Sequence, residues 1–158
     1  MKIKGIVDID IVNYKKPSLY IAMPYCTFKC NKDCGEQVCQ NQALADEKLI
    51  DISPENILRG YYYPSSITSA IVFGGLEPFD SFSEILDFIK VFRKESQDDI
   101  VIYTGYNENE IFDKVKQLKK IPNIIIKYGR FLPNHSPIYD EVLGVKLASK
   151  NQYAVKIS

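Results

Sequence analysis

The sequence predicts one α/β domain built on a mostly parallel sheet, and three observations carry that prediction. Apolar runs of strand length recur at 18–23, 67–73, 99–103 and 123–127. Two amphipathic segments, each opened by a capping signal, separate the last three runs. The length, 158 residues, suits a single domain with its own core.

The N-terminal stretch breaks its apolar residues with Asp8, Asp10 and Asn13, unlike a secretion signal. Residues 18–23, SLYIAM, read as a strand that ends before Pro24. A polar loop, about 25–41, follows. Ser53-Pro54-Glu55 has the form of a helix start with proline in the first turn, and that helix is expected to reach about Gly60. Tyr61, Tyr62 and Tyr63 are read as packing or interface residues.

Residues 67–73, ITSAIVF, form a buried strand closed by Gly74-Gly75. Ser81-x-x-Glu84 then has the pattern of a capping box. Ile85, Phe88, Ile89 and Phe92 place one apolar stripe on the helix, which should end near Ser96. DIVIY at 99–103 is the next strand, and Thr104-Gly105 turns the chain. Asn107-x-x-Glu110 opens a second helix, lined by Ile111, Val115 and Leu118 and closed by Pro122. NIIIK at 123–127 completes the series. The tail from Gly129 reads as irregular, with a final edge strand at 152–157. Ligands of parallel sheets sit at the C-terminal strand ends. The polar loop, Gly74-Gly75 and Thr104-Gly105 each follow such an end.

Lys+Arg and Asp+Glu number 20 each, so the chain lacks the basic excess of a nucleic-acid binder. No apolar stretch approaches the roughly 20 residues of a membrane span. A cytoplasmic location is expected. In a reducing compartment, four cysteines do not read as two disulfides.

All four cysteines fall between Cys26 and Cys39, in PYCTFKCNKDCGEQVCQN. Clustered thiolates suit an iron–sulfur cluster or zinc. Zinc sites usually add a second Cys or His pair, yet His135 stands alone beside Pro133 and Pro137, where a surface or packing role is expected. A thioredoxin-type site needs C-x-x-C, which is missing. Iron–sulfur, zinc and other thiol roles all stay open on spacing alone.

Cys26-Thr-Phe-Lys-Cys30 resembles the start of the radical S-adenosylmethionine (SAM) signature, C-x3-C-x2-C. Asp33 stands where that pattern has its third cysteine, so Cys34 or Cys39 is the candidate third ligand. Val38-Cys39-Gln40-Asn41 is similar to the end of the usual motif. The resemblance implies a small partial (β/α) barrel of radical SAM type that carries a [4Fe-4S] cluster and binds SAM. It makes Cys26, Cys30, Cys34 and Cys39 candidate metal ligands and gives Phe28, inside the loop, a shielding role. Gly74-Gly75-Leu76-Glu77-Pro78 resembles the Gly-Gly-Glu-Pro segment that contacts the amino group of SAM, with Leu76 inserted. Tyr103-Thr104-Gly105-Tyr106 is similar to a segment of glycyl-radical-enzyme activases, which implies that Thr104 and Gly105 shape the SAM pocket.

Within that superfamily, the short chain resembles the activating proteins of anaerobic ribonucleoside-triphosphate reductases. Lys127-Tyr128-Gly129-Arg130-Phe131 resembles their Val-Asp-Gly-Arg-Phe segment, with Tyr128 in place of the acid. Residues 143–152 resemble their closing region. The implied chemistry is reductive cleavage of SAM to a 5′-deoxyadenosyl radical, which takes hydrogen from a glycine of the reductase or of another glycyl radical enzyme. Flavodoxin or ferredoxin would supply the electron, and a homodimer is possible. No acid–base catalytic residue is expected, nor a nucleic-acid or membrane partner. The alternatives are another radical SAM activase, a peptide- or small-molecule-modifying enzyme, and a zinc or iron–sulfur structural adaptor.

Overall fold

The computed structural model describes residues 1–158. Its strands are β1 (Lys2–Ile3), β2 (Gly5–Asp10), β3 (Ser18–Met23), β4 (Ile50–Asp51), β5 (Ala70–Gly75), β6 (Asp99–Tyr103), β7 (Ile124–Tyr128), β8 (Ile138–Asp140), β9 (Val145–Leu147) and β10 (Tyr153–Lys156). The α-helices are α1 (Lys29–Cys34), α2 (Pro54–Ile57), α3 (Phe82–Phe92) and α4 (Phe112–Leu118).

A six-stranded sheet in the order β10-β7-β6-β5-β3-β2 forms the centre. Its inner strands β3, β5, β6 and β7 are parallel. Both edges are antiparallel, β2 on β3 and β10 on β7, so the sheet is mixed. Ala22 pairs with Gly74, Phe73 with Ile102, and Tyr103 with Lys127. That register sets the ends of the four parallel strands side by side. The fold is α/β with few helices.

Side chains alternate across the sheet because strand residues do. Phe73, Ile102, Ile126 and Tyr128 face the helices, where Ile57 of α2, Phe88 and Phe92 of α3, and Leu118 of α4 complete the main core. Val72, Val101 and Ile125 face the other way, onto Tyr14, Leu143 and Leu147. The α3 stripe falls where its spacing predicts, with Ile85, Phe88, Ile89 and Phe92 all buried. Phe88 meets Phe73 edge-to-face at 5.2 Å.

Several local expectations change. Ser81 makes no side-chain cap on α3. A 3-10 turn at Pro78–Ser81, capped by Glu77, already winds into the helix, and Glu84 instead accepts the Lys2 N–H at 3.1 Å. Glu110 does accept the Asn107 N–H, at 2.9 Å, but this caps a 3-10 turn (Glu108–Glu110) that precedes α4. Ser53 caps α2 through the Asn56 N–H, and the helix runs on as one π turn through Tyr62. Tyr62 is buried, and its hydroxyl donates to Asp98. The tail holds a β8–β9 hairpin, and β10 is the expected edge strand. No helix is long and apolar enough to cross a membrane.

Candidate cluster and ligand site

A cavity of about 340 Å³ opens at the C-terminal ends of the parallel strands. Its walls carry Cys26, Cys30 and Cys39, then Gly74 and Gly75, Glu77, Thr104 and Gly105, and Lys127 with Arg130. The features that sequence places after separate strands therefore meet in one space. Cys34 and Phe28 are not on that wall.

The cysteine loop is fastened to the strand ends from beneath. Glu77 N–H donates to Tyr25 O at 2.8 Å, and Thr27 N–H donates to Asp80 at 3.0 Å. Phe28 then takes a left-handed conformation, φ 51°, and starts α1. This turn aims the Phe28 N–H at Cys26 Sγ, 3.2 Å away. Phe28 thus contributes a backbone donor to the first sulfur of the loop. Asn41 Nδ2 closes the loop by donating to Gly75 O at 2.7 Å.

Gly75 needs to be glycine on two counts. Its φ is +80°, and an added Cβ would lie 3.0 Å from Ala22 Cα and 2.9 Å from Leu44. At Gly74 a Cβ would sit 2.7 Å from the Tyr20 hydroxyl. The glycine pair keeps the floor of the cavity as bare backbone.

Glu77 turns inward. Its carboxylate accepts from Thr104 Oγ1 at 2.7 Å, Gly105 N at 2.9 Å and Phe79 N at 3.1 Å. It therefore ties the end of β5 to the end of β6. Burial pushes its pKa up to about 7, against the lowering effect of those donors. Lys127, at the end of β7, is also buried, and its ammonium donates to Gly129 O at 2.9 Å. Burial pulls it down to about 8, while the charge of Glu77 pulls it back up. The sequence motif that contains Lys127 gives it no role at the site; the usable signal is one charge closing the isoleucine run of β7.

An ionic clasp holds α1 against the far wall. Arg130 reaches Glu110 at 2.6 Å and Asp33 at 3.1 Å, and Lys29 reaches Glu110 at 3.1 Å. Arg130 is the main cause holding the Glu110 carboxyl down at about 2. The folded value lies below the ordinary one, so this contribution to stability is present above about pH 4.5 and lost as pH falls through about 2. Glu110→Gln is expected to cost about 1 kcal/mol at neutral pH. Amide exchange in α1 should rise about fivefold, as read by hydrogen–deuterium exchange.

The donor set fits an iron–sulfur cluster. Three soft sulfurs share one cavity wall, and one of them already accepts a backbone N–H. Burial raises the Cys26 thiol to about 11 and also raises Cys30, which interacts with Cys39. Iron binding displaces those protons, since the thiolate is the ligand. No three His, Cys, Asp or Glu side chains converge on a single-ion geometry. The fit therefore rests on the donors and their shared wall.

Comparison with protein families matches residues 18–152 to the 4Fe-4S single cluster domain. The chain belongs to this family. The match begins at β3 and ends just before β10, so this family's cluster-bearing unit takes in the cysteine loop and all four parallel strands. A comparison with curated proteins found no match.

Proposed function

We propose that this protein is a radical SAM activase, a partial (β/α) barrel that generates a glycyl radical on anaerobic ribonucleoside-triphosphate reductase or a related glycyl radical enzyme. One observation carries the reading: Cys26, Cys30 and Cys39 face the same cavity as the bare backbone of Gly74-Gly75. When bound and reduced, the cluster supplies one electron to the sulfonium of SAM, giving methionine and a 5′-deoxyadenosyl radical.

The chain's own work is placement. Cys26, Cys30 and Cys39 would hold the cluster and leave it a site for SAM. Gly74 and Gly75 let the ligand approach main chain closely. Glu77 is committed to Thr104, Gly105 and Phe79, so it supports the wall and leaves ligand contacts to the backbone. Tyr103 is fixed by donating to Asn13 O at 2.6 Å, which makes one side of the cavity rigid. No proton transfer is required of any side chain. An external flavodoxin or ferredoxin would supply the electron, and the partner's glycine loop would complete the cavity.

The test is 5′-deoxyadenosine formation from SAM after anaerobic cluster reconstitution and dithionite reduction. Product is expected, followed by a glycine-centred EPR signal when the partner reductase is added. An intact [4Fe-4S] spectrum with no product would defeat the reading and favour a structural adaptor.

A further inference from the structure

Cys39, on the cavity wall, is separated from Cys30 by eight residues, far more than the two of the common signature, so something has to return the chain to the cavity. Asn31 does this with one side chain. Its Oδ1 accepts the N–H of Val38 at 3.0 Å and of Cys39 at 2.9 Å, and its Nδ2 donates to Gln42 Oε1 at 3.1 Å. The same Oδ1 lies 3.8 Å from Cys30 Sγ. A single atom thus touches the second sulfur and anchors the backbone of the residue that brings Cys39.

Cys34 stands one helical turn beyond Cys30 on α1, and a turn advances about 5.4 Å along the axis. The chain then leaves the helix through Gly35, φ 70°, and comes back only where Asn31 holds it. Cys34 is off the cavity wall, whereas Cys39 is on it. The two amides are donors that only an acceptor at position 31 satisfies.

We infer that Asn31 is a positioning residue that selects Cys39 over Cys34 as the third sulfur of the cluster site. The inference rests on the cluster reading and names how this chain completes it. An aspartate at 31 keeps an acceptor for both amides, an alanine keeps none, and a serine is too short to span them.

The test reconstitutes the full chain anaerobically with iron and sulfide. Iron is counted per chain, and bleaching of the visible cluster band by a chelator is timed. Cys34→Ser should match the parent, and Cys39→Ser should lose its iron. Asn31→Ala should bleach about 10-fold faster or more, the usual cost of losing an outer partner, and Asn31→Asp should restore the parent rate. Adding Cys34→Ser to Asn31→Ala should deepen the loss, because Cys34 competes once the selector is gone. If Asn31→Ala fails to fold, Asn31→Ser reads the same rate. A cluster that survives Cys39→Ser but not Cys34→Ser overturns the inference. So does an unchanged bleaching rate in Asn31→Ala, or no effect of Cys34→Ser in that background. A parent chain that takes up no iron defeats the cluster reading itself.

Discussion

Cys30→Ser is expected to reduce bound iron to trace levels and 5′-deoxyadenosine formation to the background of SAM with dithionite alone. Cys30 sits within α1, where it faces the cavity and interacts with Cys39. A serine oxygen is a harder, less acidic donor than sulfur and a poor ligand for iron in a cluster. The wall carries three sulfurs and no spare, since Cys34 lies elsewhere. The loss should leave the fold intact, because all four cysteines are only partly buried and none belongs to either core cluster. Iron analysis, product assay and the far-UV spectrum of the metal-free chain together check this. A variant that still cleaves SAM at the parent rate would remove Cys30 from the site.

Glu77→Leu is expected to be the most damaging single change to stability near the cavity. It removes the acceptor for Thr104 Oγ1, Gly105 N–H and Phe79 N–H at once. Each buried donor left unpaired costs about 1–3 kcal/mol, so the total should reach at least about 3 kcal/mol. For a domain of this size that lowers Tm by about 10 °C. Glu77→Gln keeps an acceptor oxygen and should cost less. The two proteins should also differ with pH. The folded pKa of Glu77, about 7, lies above its ordinary value, so its contribution is fully present below about pH 4.5 and lost as pH rises through 7. Denaturation of the metal-free protein from pH 4.5 to 8 should show the parent losing stability relative to Glu77→Gln.

The strands were readable because their residues are buried on both faces, as in the run of isoleucines in β7. β10 was visible from weak alternation, whereas β8 and β9 have three residues each, too few for any period to register. At Ser81 the helix signal was right and its cap was wrong, since Glu77 had already started the turn four residues earlier. The cysteines announced a metal site plainly. Their pattern did not choose between Cys34 and Cys39, because spacing does not reveal that an asparagine side chain bonds backbone seven and eight residues ahead. The left-handed backbone of Phe28 was not legible, because residue type signals a positive φ poorly outside glycine and asparagine.

Helices α2, α3 and α4 cover one face of the sheet, whereas the cavity opens at the C-terminal ends of the parallel strands, against α1. Assembly and cofactor loading therefore draw on different residues. The aromatic core around Phe73, Phe88 and Phe92 closes without help from sulfur or iron. The metal-free chain is therefore expected to keep its far-UV spectrum, unlike small metal-nucleated domains that collapse only around their ion.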